Sequence, residues 1–151
     1  KAVDWILRKE VVDVLRQMKD EMECGMMLIT HDFGAASQIA DRIGVMYCGQ
    51  MVEIGKADEI LNKPKHPYTK GLIDALPSRG FHVMEGFMPS FSELPSGCRF
   101  APRCSRCLER CRRHIPEMYE DGNGRQVRCF LFEESGVAYR SPCIEEAVFN
   151  A

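Results

Sequence analysis

Two groups of side chains in this 151-residue sequence have types and spacings suited to chemistry. The first is a single imidazole, His31, in the run Leu28-Ile29-Thr30-His31-Asp32-Phe33-Gly34. Its ring N–H can donate a hydrogen bond to a terminal phosphate while the other nitrogen accepts one, without a permanent charge. A histidine after an apolar run is, taken alone, more often packed or capping, but the carboxyl end of a strand in an open α/β sheet is where ligands bind. The second group is a set of thiols. Six of the eight cysteines follow residue 97, and Cys104, Cys107 and Cys111 are spaced so that one helical face could carry all three. In a reducing compartment such thiols suit metal binding better than disulfides.

Each group needs elements to hold it. Val11, Val14, Leu15, Met18 and Met22 form a helical stripe, which predicts a helix over 5–22 ended by Gly25. A buried strand over 26–30 then leads into His31, and a short helix over 35–41 follows, with Ala36, Ile39 and Ala40 on one face. Residues 45–47 and 51–54 read as a hairpin across Cys48-Gly49-Gln50, and 58–62 as another short helix. In His66-Pro67-Tyr68-Thr69 the proline suits a first helical turn, with Pro77 as the stop; His66 and Tyr68 read as packing and capping residues. Residues 77–97, rich in Pro, Gly and Ser, form a connector, and 132–151 a loosely attached tail.

The net charge of −2 gives no general drive toward nucleic acid or anionic lipid, although Arg99, Arg103, Arg106, Arg110, Arg112, Arg113, Arg125 and Arg128 make the carboxyl-terminal part locally basic. No stretch approaches the length of a membrane span, and no secretory leader is seen.

The region around His31, with Ala40-Asp41-Arg42 and the glycine-turned hairpin after it, resembles the switch-histidine region of ABC-transporter ATPases. Ala2-Val3-Asp4 ahead of the first helix looks like the D-loop of that family, with Asp4 matching its aspartate. The resemblance implies that His31 senses the terminal phosphate of ATP. It also implies that Asp4 faces a second ATPase subunit and helps couple two ATP sites. His66-Pro67-Tyr68-Thr69 and the Cys-rich stretch resemble the oligopeptide and dipeptide importer branch.

No segment fits the glycine-rich phosphate loop, and the Gln-loop, signature sequence and Mg²⁺-binding acidic pair of the family would all precede Asp4. The chain is therefore expected to be the carboxyl-terminal portion of an ATPase, with ATP and Mg²⁺ belonging to the intact protein. Alone it is expected neither to bind ATP tightly nor to hydrolyse it.

Within the same resemblance, Cys98, Cys104, Cys111 and Cys129 correspond to the four thiolates that hold a [4Fe-4S] cluster. Zinc satisfies the same ligand count as a structural staple. Cys107 is the alternative ligand, and Cys24, Cys48 and Cys143 read as small apolar side chains. The surrounding arginines would offset the negative charge of such a centre.

The fold class expected is α/β: the carboxyl-terminal part of an ABC ATPase core (1–76), a linker (77–97), a small Cys-rich cluster-binding domain (98–131) and the tail (132–151). The function implied is that of the ATP-binding subunit of an ABC importer for dipeptides, oligopeptides or related solutes. It would sit on the cytoplasmic face of the membrane against transmembrane permeases, with an extracytoplasmic solute-binding protein acting indirectly and no nucleic acid as partner. The competing reading is a metal-stapled nucleic-acid-binding module, with arginines on phosphates and Phe100 or Tyr119 stacked on bases.

Overall fold

In the computed structural model, which describes residues 5–22, 25–133 and 137–138, a β-hairpin organises the other elements. Its strands are β1 (Arg42–Tyr47) and β2 (Gln50–Lys56), paired antiparallel with Tyr47 opposite Gln50 and a register shift between Val45 and Met46. The turn has positive φ at both Cys48 (45°) and Gly49 (75°). Two successive positive φ values match the right-handed twist of hairpin strands, which is why a glycine stands there. Along β1 the side chains alternate, with Ile43, Val45 and Tyr47 buried and Arg42, Gly44 and Met46 exposed.

Helices flank the hairpin on both sides in sequence. α1 spans Trp5–Glu21 and α2 spans Phe33–Ile39. α3 (Ala57–Asn62) follows β2 directly, and α4 (Pro67–Asp74) starts with its proline in the first turn, where a missing N–H has no cost. α1 grips the end of α2: Lys19 donates to the Ile39 carbonyl (3.0 Å) and pairs with Asp41 (2.7 Å), and Arg16 donates to the Gln38 carbonyl (3.0 Å). Cations at a helix carboxyl end satisfy its orphan carbonyls and oppose its dipole.

The run at 26–30 departs from the expected strand. It forms no ladder with any described residue, and Met27 and Ile29 are 87% and 90% exposed. An apolar run becomes a buried strand only when neighbouring backbone supplies hydrogen-bond partners and covers its faces, and among the described residues none does. The stripe on α1 is open for the same reason, with Val11, Val14 and Met18 exposed and Val12 buried instead.

After a connector without strands, the Cys-rich stretch returns to the hairpin. α5 covers Glu109–Arg113, and β3 (Tyr119–Glu120), β4 (Gln126–Val127) and β5 (Val137–Ala138) complete one sheet in the order β1-β2-β4-β3-β5, every neighbour antiparallel. The mixed α/β character read from the sequence is present. The hairpin core of Ile43, Val45, Tyr47, Val52 and Ile60 also includes Phe100 from the Cys-rich stretch, and Cys98 and Cys104 pack against it. Tyr47 and Phe100 meet edge to face at 5.2 Å, a favoured aromatic geometry.

Candidate functional site

Thr30, His31 and Asp32 form a local cap. The Asp32 carboxylate accepts from the backbone N–H groups of Gly34 (2.8 Å) and Ala35 (3.2 Å) at the start of α2, and the Asp32 N–H donates to the Thr30 hydroxyl (3.0 Å). Both polar neighbours are thus committed to the backbone, as an N-cap requires. His31 between them is exposed, with no ring hydrogen bond to the turn before α2 among those described. Asp4 lies outside the described residues.

Cys98, Cys104, Cys111 and Cys129 line a single cavity together with His66, Phe100, Arg106, Phe130 and Leu131. Four separate pieces of backbone bring the thiols there. The Cys98 N–H donates to the Cys111 carbonyl (2.8 Å), joining the stretch before the first tight turn to α5. That turn is closed by Ala101 N–H to the Cys98 carbonyl (2.9 Å) and Arg103 N–H to the Phe100 carbonyl (3.0 Å), and it delivers Cys104. Cys111 is on α5, and Cys129 follows β4.

Burial pushes the thiols of Cys98 and Cys104 up, and that of Cys129 up to about 11. Their mutual repulsion as thiolates adds to the effect at all three. At neutral pH these thiols are protonated, so any metal must displace their protons. The space enclosed between them is about 10 Å³, close to that of one water, so a larger group enters only if the thiols part. Among the described residues no three His, Cys, Asp or Glu side chains stand close enough to share one metal ion. A tetrahedral zinc centre would accordingly require the thiols to draw together, and a cubane would require them to spread.

Cys107 lies outside this ring. Its Sγ–H points to the Leu108 carbonyl (3.5 Å), and α5 begins only at Glu109, so Cys104, Cys107 and Cys111 do not share one helical face. Cys48 is buried at the hairpin turn, and Cys24 and Cys143 lie outside the described residues.

The arginines tie neighbouring loops together. Arg99 donates to the Cys48 carbonyl, Arg103 to that of Glu85 (3.1 Å), Arg110 to that of Phe130 (2.9 Å) and Arg125 to that of Lys63 (2.6 Å). Arg128 bridges the carbonyls of Met51 (3.0 Å) and Pro116 (3.1 Å). These planar forks clamp loops by satisfying backbone acceptors, and Arg110 and Arg125 also pair with Glu133 and Glu53. Arg106 is the arginine that reaches the cavity lining. The nucleic-acid alternative finds no support in this arrangement. Phe100 and Tyr119 are buried, with 3% and 7% exposure, and offer no face for a base.

Sequence reasoning assigned no chemistry to Glu53. It is fully buried and accepts from Arg125, from the Lys65 N–H (2.8 Å) and from the His66 N–H (3.0 Å), fixing the start of α4 over β2. Burial along β2 does not alternate, since Val52 and Glu53 are both buried, so a lone glutamate on that strand reads from sequence as solvent-facing.

Comparison with known proteins agrees with this arrangement of motifs. Residues 52–111 match the family described as oligopeptide/dipeptide transporter, C-terminal region. The oligopeptide transport ATP-binding protein AppD of Bacillus subtilis (strain 168) is 39% identical over 140 residues, covering 89% of this chain and 43% of AppD. A putative peptide import ATP-binding protein of Brucella abortus (strain 2308) is 41% identical over 133 residues, covering 85% of this chain and 40% of that protein. One from Brucella ovis is 33% identical over 144 residues, with 88% and 43% covered. The chain spans less than half the length of the relatives it matches. Along most of its length the chain is a homologue of peptide-import ATP-binding proteins, and its residues 52–111 are similar to the C-terminal region of the oligopeptide/dipeptide transporter family.

Proposed function

We propose that this chain is the carboxyl-terminal portion of the ATP-binding subunit of an ABC importer that couples ATP hydrolysis to uptake of dipeptides, oligopeptides or related solutes. The observation that carries this reading is the similarity to peptide-import ATP-binding proteins along most of the chain. In the whole subunit ATP and Mg²⁺ bind with residues that other segments supply. The outward His31 imidazole donates to the terminal phosphate, and Asp32 holds it there by capping α2. Asp4 faces a second ATPase subunit. The open apolar residues Met27, Ile29, Val11 and Val14 pack against the remainder of the ATPase core. The assembly lies at the cytoplasmic face of the membrane against transmembrane permeases, receiving solute through an extracytoplasmic binding protein. No helix among the described residues is long and apolar enough to cross a membrane.

The cavity of Cys98, Cys104, Cys111 and Cys129 is proposed to hold a [4Fe-4S] cluster, with zinc as the alternative. What supports it is the donor chemistry: four thiols from separate segments, an apolar wall of Phe100, Phe130 and Leu131, and none of the four cysteines in a disulfide. Bound there, the cluster would supply a covalent staple and an electron-accepting centre. The chain's own part is to surrender four thiol protons, exclude water with its aromatic wall and tie the Cys-rich stretch to the hairpin.

Two experiments test these readings. Replacing the matching segment of Bacillus subtilis AppD by this chain should keep peptide uptake. His31→Ala in that chimaera should lower ATP turnover by roughly 10²-fold. A chimaera that imports peptide equally well with His31→Ala overturns the phosphate-sensing role. Anaerobic purification with iron, sulfide and zinc analysis, on the native chain and on Cys111→Ser, tests the metal. A brown protein that loses its chromophore in the variant supports the cluster, stoichiometric zinc replaces it with the staple, and no metal removes the assignment.

A further inference from the structure

We propose that Cys98 and Cys111 are a redox pair: in the metal-free chain they close into a disulfide, which shuts the four-thiol cavity to a metal until a small thiol reopens it. The inference goes beyond the metal reading, because it concerns the chain without metal. The Cys98 N–H donates to the Cys111 carbonyl at 2.8 Å, and among the described residues no other two of the four cavity cysteines share a backbone hydrogen bond. Residues joined in this way have Cα atoms about 5.5 Å apart, inside the range of roughly 4.4–6.8 Å that a disulfide spans. Gly97 permits the approach, since a Cβ there would lie 2.7 Å from the Arg112 carbonyl carbon. Both thiols are free, and both line the one cavity, whose enclosed space is about 10 Å³. Their side chains leave the shared backbone bond toward a common space.

Cys104 and Cys107 also share a backbone bond, from the Cys107 N–H to the Cys104 carbonyl (3.2 Å). The Cys107 Sγ–H, however, is turned to the Leu108 carbonyl (3.5 Å) and does not line the cavity. Cys98 is half-buried and Cys111 is 8% exposed, so Cys98 is the thiol of the pair that an incoming oxidant meets first. The oxidant is a small-molecule disulfide such as oxidised glutathione. The Cys98 thiolate attacks one of its sulfurs, the glutathione S–S bond breaks and one glutathione thiolate leaves. The Cys111 thiolate then attacks the Cys98 sulfur of the mixed disulfide and expels the second. Two electrons pass from protein to glutathione, and the two protons lost by the cysteines end on the two glutathione thiols. Excess reduced glutathione runs the same steps backwards. Oxidation removes two of the four donors, so the disulfide and a four-thiolate centre exclude each other.

Disulfide mapping of the native sequence tests the pair without any substitution. Metal-free, fully reduced chain is equilibrated with oxidised glutathione, trapped with N-ethylmaleimide and digested with trypsin, and the linked peptides are quantified by mass spectrometry. Arg99, Arg103, Arg106, Arg110 and Arg112 place Cys98, Cys104, Cys107 and Cys111 on separate peptides. In native buffer the Cys98–Cys111 link should exceed every other pairing by about fivefold or more. In strong urea that lead should pass to Cys104–Cys107 and Cys107–Cys111, because loop-closure entropy favours the shortest loops once the fold is gone. Another leading pairing in native buffer, an even spread, or glutathione mixed disulfides without an internal link overturns the proposal. So does a Cys98–Cys111 lead that persists in urea, since the fold would then not be its cause. A native chain that takes up neither iron nor zinc defeats the metal reading and leaves this mapping intact.

Discussion

Glu53 and Arg125 form a buried ion pair, 2.5 Å between Oε1 and the guanidinium, with side chains 0% and 4% exposed. The glutamate lies on β2 and the arginine immediately before β4, 72 residues apart, so the pair joins the hairpin to the Cys-rich stretch. Every oxygen of the carboxylate is used, since Lys65 and His66 donate their backbone N–H groups to it. Full hydrogen bonding is what makes such a pair tolerable in a low-dielectric interior.

Breaking one side should therefore be severe. Arg125→Met leaves an uncompensated buried carboxylate and is expected to destabilise the chain by about 3–5 kcal/mol. Glu53→Gln keeps the shape while stranding the guanidinium, and should cost a comparable amount. The double variant should be less damaging than the sum of the two, as measured by urea unfolding of all four members of the cycle. Strict additivity would show that the pair is not coupled.

Acid should weaken the fold through His66. Burial holds its imidazole down at about 4, against an ordinary value of 6.5. The unfolded chain therefore binds more protons between those values. The stabilising contribution is complete above pH 6.5 and is lost progressively as the pH falls toward 4, amounting to roughly 3 kcal/mol in all. His66→Gln, which does not titrate, should flatten the stability curve across this interval. Parallel curves for native and variant chains would assign the acid sensitivity elsewhere.

Gly97 should tolerate no side chain. A Cβ built there meets the Cys111 carbonyl and lies 2.7 Å from the Arg112 carbonyl carbon. Those atoms are backbone of α5 and cannot rotate away. Gly97→Ala should force Cys98 from Cys111, lower stability by about 1–3 kcal/mol and reduce bound metal per chain. Native melting temperature and metal content in the variant would show that the approach is looser than the geometry indicates.

Metal uptake should depend steeply on pH. Cys98, Cys104 and Cys129 all have thiols raised by burial, Cys129 to about 11, and each must lose a proton to become a ligand. For each proton released, apparent affinity for a thiophilic ion such as Co²⁺ should rise about tenfold per pH unit below those values. Titration followed by the thiolate-to-metal charge-transfer band at pH 6.5 and 7.5 measures the slope. A pH-independent affinity would mean that these thiols are not the ligands.

What the sequence determined by itself is local. Cys48-Gly49 announces the hairpin turn and His66-Pro67 the start of α4, because each signal acts through its own backbone within a few residues. The motif order around His31 and the Cys-rich pattern also pointed to the peptide-import proteins that the chain resembles. Tertiary structure alone decided the rest. Whether 26–30 is a strand depends on neighbours that the run does not itself contain. That the arginines clamp carbonyls and that Glu53 is buried against Arg125 are contacts between segments tens of residues apart. Such pairings are set by which surfaces pack together when the sheet closes, and spacing along the chain carries no record of them.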